Sequence, residues 1–360
     1  MEDKIVRICT LVTFGLLIFV CTSFFYLPSL HTYEESVRQE YLREAAAREN
    51  ITELSGLELL QYNNTVSEIR EEEVFFDEQL RIAMPFGHDA SEALIVNDPI
   101  HKTIELTLPG AEENYMYRYP MLGTPESILD LTYESANDRG TLDITTDKPM
   151  EYRRRDGGEY LYLDLITPHE KYDYVIVVDA GHGGTSSGAV REEVLEKDLN
   201  LAFSEKAILA LKNRFGDRLG VYYTRNGDEN PSFEERVALA NESEADLFLS
   251  IHNNAAKRND KASGTTVLYK SAAGLDYDAK ALAEIFSEEL TAVLGSENRG
   301  ATAGDEIYVI HHSDVPVLLL EIGFMSNHND LQKLQKEEYQ DLAAEGICNA
   351  VARAAADLEL

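Results

Sequence analysis

The chain is short of cysteine and of positive charge, and each shortage removes a class of function. Of its three cysteines, Cys9 and Cys21 fall in the apolar amino-terminal run and only Cys348 stands outside it. A lone thiol closes no intramolecular bridge, so the body of the protein holds together without disulfides. It also denies the chain a cysteine-built structural zinc site. Lysine and arginine total 32 against 65 acidic residues, a formal net charge of -33. Such a field repels nucleic acid, whose binding needs clustered cations to displace counterions. The densest basic run, Arg153-Arg154-Arg155, is flanked by Glu151 and Asp156 and reads as a solvated hairpin edge.

What is present begins with Ile8 to Leu27, which carries no charged residue. At about 1.5 Å per residue this run spans the ~30 Å hydrocarbon core of a bilayer. Lys4 and Arg7 precede it and Glu34 and Glu35 follow, an asymmetry that keeps the amino end cytoplasmic. The rival reading is a cleaved signal peptide, but Phe24-Phe25-Tyr26-Leu27-Pro28 makes a poor cleavage site. Residues 1–30 are therefore expected to be a single-pass membrane anchor, with the rest of the chain extracytoplasmic and monomeric.

Residues 31–74 are charged and rich in helix formers, with apolar positions too sparse for a core. A helical or partly disordered stalk is expected there. Residues 75–170 turn to a period of two: Ile104, Leu106 and Leu108 face one way, as do Leu142 and Ile144, and Leu161, Leu163 and Leu165. Asp156-Gly157-Gly158 joins the last two strands. This predicts a small antiparallel β domain of sandwich type. Its histidines, with His169 just inside the same span, are His88 and His101, and none of the three is clustered with other ligand types.

From residue 171 to the end, strands and helices alternate. "YVIVVDA" is a continuous apolar run, as a strand buried on both faces requires. Ser232-Phe233-Glu234-Glu235 is a capping box that opens a helix. The alternation predicts an α/β fold, a mostly parallel sheet flanked by helices on both faces. In such sheets ligands collect at the carboxyl ends of the strands. Four polar residues stand there or just beyond: His182 after "VIVVDA", His252 at the end of "DLFLSIH", Glu321 after "VPVLLL", and Glu196 at the head of a helix. Two imidazoles, a carboxylate and an open fourth position suit a catalytic zinc. Singly, a histidine at a strand end more often serves a hydrogen-bonded structural role and a glutamate opening a helix more often serves the helix dipole, whereas a carboxylate after Val317-Leu318-Leu319-Leu320 is less easily dismissed.

The blocks "VVDAGHGGTSSGA", "EKDLNL", "YYTRNGDENPSFEERVALAN", "ADLFLSIHNNA", "GTTVLY" and "PVLLLEIGFMSN" run in one order between Tyr174 and Leu334. In that order they resemble the catalytic domain of the zinc-dependent N-acetylmuramoyl-L-alanine amidases, the bacterial wall hydrolases called amidase-3. The resemblance implies one zinc per chain, bound by His182, Glu196 and His252, with Glu321 as general base and then acid. It implies peptidoglycan as the substrate and Asn254 as part of the site wall. Glu192 and Glu193 compete for the carboxylate position, but only Glu196 stands in the "EKDLNL" context. Arg225 and Arg236 match family positions and read as structural. The β-rich region resembles wall-targeting modules found ahead of some bacterial amidases.

Several residues depart from the family pattern. Ala180 stands where proline is common, Ala301-Thr302 replaces an apolar residue and lysine, and His311 and His312 read as two exposed loop histidines. The short interval from Gly264 to Arg299 leaves little room for a long inhibitory insertion. Two other readings stay open: the same zinc chemistry on another amide, or an inactive wall-binding scaffold.

Overall fold

The computed structural model describes residue 54 and residues 56–66, 78–123, 125–257, 259–272, 275 and 277–357. The expected anchor, residues 1–30, lies outside them, as does most of the expected stalk. Among the described residues no helix is long and apolar enough to cross a membrane.

The elements follow in chain order as α1 (Gly56–Val66), β1 (Gln79–Ala83), β2 (Leu94–Asp98), β3 (Thr103–Pro109), α2 (Tyr115–Arg118), β4 (Leu122–Gly123), β5 (Ile128–Ala136), β6 (Arg139–Thr146), β7 (Glu151–Asp156) and β8 (Tyr160–Ile166). A short α3 (Pro168–Lys171) leads to β9 (Tyr174–Ala180), β10 (Val190–Arg191), β11 (Val194–Leu195), α4 (Glu196–Phe215), β12 (Leu219–Tyr223), α5 (Phe233–Glu242) and β13 (Leu247–Asn254). β14 (Thr265–Tyr269), α6 (Ala279–Leu294), β15 (Asn298–Ala303), α7 (Tyr308–His312), β16 (Val317–Phe324), α8 (His328–Leu334) and α9 (Glu337–Asp357) complete the chain.

Two compact units emerge. One comprises the described residues up to Ile95 with Glu105–Ile144 and Arg154–Asp164; the other comprises Val96–Ile104, Thr145–Arg153 and Leu165 onward. The division is interleaved, where the sequence suggested a single boundary at residue 170. Its physical reason is visible inside the second unit. Glu151 is buried and accepts hydrogen bonds from Tyr222 Oη at 2.7 Å and Lys171 Nζ at 2.7 Å. Lys102 Nζ reaches Glu242 Oε2 at 2.5 Å.

Strands β1 to β8 form two four-stranded sheets, ordered β4-β1-β8-β7 and β2-β3-β6-β5. Period-two alternation is realised as burial: Leu106, Leu108, Leu142, Ile144, Leu161 and Leu163 are fully buried while their neighbours in sequence are less so. β7 is an edge strand, with Arg153 and Arg155 exposed as expected. Arg154 is instead partly buried and donates to the carbonyls of Ala93 and Ala90 at 2.8 and 2.6 Å. Within the stretch read as a stalk, α1 adds a helix to the first unit. Leu59 and Leu60 are buried, and Asn63 donates to the Met121 carbonyl at 3.3 Å. Glycine opens this helix because a Cβ on Gly56 would overlap the Leu131 carbonyl oxygen.

The second unit carries a six-stranded mixed sheet, ordered β12-β9-β13-β16-β14-β15. Pairing is parallel except between β14 and β16. β9 shows why "YVIVVDA" is continuously apolar. Ile176 and Val178 join a core with Leu199, Phe203, Phe286, Leu290 and Ile347, while Val175 and Val177 join another with Val237, Ala240, Val309 and Ile310. α4, α6 and α9 thus cover one face and α5 and α7 the other. Each such buried aliphatic side chain contributes about 1.5–3 kcal/mol. Cys348 lies in the first core, and burial pushes its thiol up to about 11, leaving it an unreactive small hydrophobe.

Candidate metal centre

Sheet register brings the site together. β13 pairs with β9 so that Ile251 lies beside Ala180, and with β16 so that His252 lies beside Glu321. Three central strands therefore end on one rim, and residues scattered over 140 positions of sequence become neighbours. Glu196 enters from the other side as the first residue of α4, where the helix N-terminus favours a carboxylate.

His182 Nε2 stands 3.3 Å from Glu196 Oε1, and His252 Nδ1 stands 2.9 Å from the same oxygen. The two imidazoles meet edge to face with centroids 5.0 Å apart. One nitrogen from each histidine and one Glu196 oxygen lie within 4.8 Å of one another, a group able to hold a metal ion. His182 and Glu196 are also oriented from behind. His182 Nδ1 pairs with Ser186 Oγ at 3.1 Å, which turns Nε2 toward Glu196. Glu196 Oε2 accepts from the Ala189 amide at 2.8 Å.

Small residues around His182 are a steric requirement. A Cβ on Gly181 would stand 2.1 Å from His252 Nε2, and one on Gly188 would stand 2.6 Å from Glu196 Oε2. His182 itself has φ +62, the left-handed region that non-glycine residues adopt only when their surroundings hold them there. Those surroundings are two arginines. Arg225 donates to the carbonyls of Ala180 at 2.8 Å and Gly181 at 3.1 Å; Arg236 donates to those of Ala180 at 2.9 Å and His182 at 2.7 Å. Three consecutive carbonyls are thereby gripped. The structural reading of both arginines is thus made specific: they shape the loop that presents His182.

Arg236 is fixed in turn by Asp179, also buried, at 2.5 Å. Asp179 accepts further from Thr224 Oγ1 and Ser250 Oγ, each at 2.6 Å. Burial alone would raise its carboxyl; Arg236 and the two hydroxyls outweigh that and hold it below the usual carboxylate range. Sequence reading passed over Asp179, although an acid at the end of "VIVV" was the available signal. It also missed Asn200, which donates to Gly181 O at 3.0 Å and accepts from Asn253 Nδ2 at 2.9 Å.

Charge in the site is polarised. Burial disfavours the Glu196 carboxylate, yet hydrogen bonds with His182 and His252 outweigh it and keep it ionised well below its ordinary value. Burial likewise acts to deprotonate His252, and is overcome by Glu196 and then by the nearby Glu321, so its imidazole titrates above the ordinary range. Glu321 goes the other way. Burial, reinforced by Glu196 and opposed by His252, pushes its carboxyl up to about 7. Its Oε2 is buried and has no hydrogen-bond partner among the described residues.

The remaining expected residues are also located. Asn254 ends β13 on the same rim, and its carbonyl accepts from the Met325 amide at 2.7 Å. Glu192 and Glu193 form the turn between β10 and β11, both with positive φ, and Glu192 pairs with His328 at 2.9 Å. Neither joins the metal-holding group. His88, His101 and His169 pair with Glu92, Asp98 and the Glu244 carbonyl, respectively, and are not clustered. His311 and His312 are the last residues of α7 and not a loop, because Val309 and Ile310 beside them are buried in the sheet core.

Known proteins share this unit. The Amidase_3 family, described as N-acetylmuramoyl-L-alanine amidase, matches residues 176–353. The uncharacterized protein YqiI of Bacillus subtilis (strain 168) is 40% identical over 179 residues, 49% of this chain and 82% of that protein. The germination-specific N-acetylmuramoyl-L-alanine amidase of the same organism is 33% identical over 192 residues, 50% of this chain and 78% of its own. Among solved structures, an N-acetylmuramoyl-L-alanine amidase from Clostridium difficile 630 is 32% identical with a TM-score of 0.48, covering 51% of this chain and 97% of that one. With 40% and 33% identity extending over more than two thirds of YqiI and of the germination-specific amidase, the chain belongs to the N-acetylmuramoyl-L-alanine amidase family.

Proposed function

We propose that this amidase cleaves the amide between N-acetylmuramic acid and the L-alanine of the peptidoglycan stem peptide, with zinc held by His182, Glu196 and His252. The observation that carries the site assignment is the convergence of those three donor atoms beside a buried, unpartnered Glu321 oxygen. The donor set fits: two imidazoles and one carboxylate without cysteine are what a catalytic zinc with an open position takes. A bound zinc supplies a Lewis-acidic charge that polarises a carbonyl and lowers the pKa of a water to about 7.

The chain's own residues supply the rest. Glu321, with its carboxyl near neutrality, takes the proton of the attacking water at its free oxygen. As the carbon–nitrogen bond breaks, the same carboxyl gives that proton to the leaving amine nitrogen. Glu196 stays anionic and holds both imidazoles in place. Asn254, on the same rim, flanks the substrate. Anchoring by residues 1–30 would keep this chemistry outside the cytoplasmic membrane as a single chain, and wall contact would fall to the β-rich region.

Glu321→Gln tests the assignment. Hydrolysis of purified sacculi should fall by about 10²–10⁴-fold, the usual worth of a positioned acid–base group. Metal content, measured by elemental analysis, should stay at the unaltered level. Near-normal turnover would put the general base elsewhere. Mass spectrometry of the digest should find free stem peptides and glycan chains; a different cleaved amide would overturn the substrate.

A further inference from the structure

The metal centre leaves one group of rings unused. Phe233 is the first residue of α5 and is 59% exposed. Its ring stacks on Tyr308 with centroids 5.5 Å apart and planes 23° apart. Tyr308 stacks on His312 at 3.9 Å and 18°, and His311 closes the row edge-on at 4.9 Å. Three near-parallel rings thus form a pile whose outermost member is an exposed phenyl.

This pile is rigid. Ser232 and Glu235 cap each other's backbone amides at 3.2 and 2.7 Å and so fix the turn that bears Phe233. Buried Val309 and Ile310 anchor α7 from below. Asn241 ties its far end to α5 through the His312 carbonyl and Asp314. An exposed ring held this way loses little side-chain freedom when a ligand covers it, the condition for a pre-organised contact.

We propose that this ring stack is a sugar-binding subsite, taking one pyranose ring of the glycan strand flat against Phe233. It rests on the peptidoglycan reading above. A pyranose offers an apolar face of C–H groups bordered by hydroxyl and acetamido groups. The apolar face matches a phenyl that ends a stack. The polar border matches Glu234, the next residue, which hydrogen-bonds the Tyr308 hydroxyl and can accept from a sugar hydroxyl or amide N–H. Charge argues in the same direction. Glu234, Asp305 and Glu306 border the stack in sequence, within a chain of net charge -33. This repels phosphates, nucleotides and anionic lipid, and leaves a neutral polyol unopposed. Position argues for it as well. Helix residues three apart lie about 5–6 Å from one another. Phe233 is therefore one turn from Arg236, whose guanidinium holds the His182 carbonyl at 2.7 Å. A strand whose lactyl amide sits in the metal centre has neighbouring sugars to lay along α5.

The chain contains no tryptophan, so Phe233→Trp in the full-length protein places a single tryptophan at the stack, excited selectively at wavelengths that tyrosine does not absorb. Titration with a tetramer of N-acetylglucosamine should shift its emission saturably, and an L-alanyl stem peptide should not. Tyr308→Ala in that background should weaken the sugar response by about fivefold to tenfold, the scale of a lost aromatic stacking contact. A second measurement avoids the new fluorophore: Phe233→Ala should bind purified sacculi about fivefold more weakly than the unaltered chain in a pelleting assay, and Phe233→Tyr should restore it. Emission unmoved by sugar, a response to the peptide alone, or unchanged sacculus binding would each overturn the subsite. Hydrolysis of an N-acetylmuramoyl-L-alanyl peptide by the unaltered chain is followed alongside. Its absence would overturn the function proposed above, whereas hydrolysis without a sugar response would overturn the stack alone.

Discussion

Two histidine–carboxylate pairs of nearly equal length separate the regions of this molecule. In the β-rich unit His88 Nδ1 meets Glu92 Oε2 at 3.0 Å, four residues apart and facing water. In the α/β unit His252 Nδ1 meets Glu196 Oε1 at 2.9 Å, 56 residues apart and largely out of water. The first pair is made by one local turn, and water screens most of its attraction. The second exists only because a sheet and a helix bring its members together, and burial gives each charge leverage over the other's protonation. Equal distances thus carry unequal chemistry. What distinguishes a site here is long-range convergence in a desolvated place.

Removing each histidine sharpens this contrast. His252→Ala should strip the bound metal, read by elemental analysis. It should also lower hydrolysis of peptidoglycan by more than about a hundredfold, because loss of an outer-shell partner alone costs about 10–100-fold. Metal retained at the unaltered level would dissolve the comparison. The buried network behind the site comes next in size. Asp179→Asn leaves the Arg236 charge buried without its partner and should cost about 3–5 kcal/mol in denaturant unfolding.

That network also sets a pH dependence. The folded Asp179 carboxyl titrates below its ordinary value, so its contribution is fully present above about pH 3.9 and is lost as pH falls through the lower folded value. Asp179→Asn should therefore show a shallower acid limb in that window than the unaltered chain. An unchanged limb would mean the carboxyl gains nothing from its partners. The smallest effect belongs to the surface pair: His88→Ala should move unfolding by no more than about 0.5 kcal/mol and leave metal content alone.

Much of the architecture was legible because burial repeats with the period of the backbone. Alternation in "KTIELTL" and "TLDIT" gave strands with one buried face, and the unbroken run in "YVIVVDA" gave a strand buried on two. The four candidate residues were legible as lying near strand ends and at a helix head, although His252 and Glu321 stand inside β13 and β16 and not at their last residues. Other features had no local signature. The interleaved division of the chain depends on Glu151 meeting Tyr222 and Lys171, which no periodicity announces. Helix α1 looked too polar for a core because its two buried leucines are adjacent and the helix packs on β4 and β5, far along the chain. Glu192 and Glu193 competed with Glu196 by residue type; the "EKDLNL" context favoured Glu196, and it is Glu196 that lies with the two histidines.

The order of residues by itself determined that strands run through Ala180, His252 and Glu321, and that glycine surrounds His182, since pleat, period and steric freedom are properties of neighbours along the chain. How near Glu196 and Glu321 would come to those imidazoles, and which arginines would hold a strained histidine in place, was decided only by sheet register and by helix packing across it. The reason is that desolvation and charge act through space. A carboxylate acquires its ionisation and its partners from whatever the fold sets within a few ångströms, however far away in sequence that neighbour was.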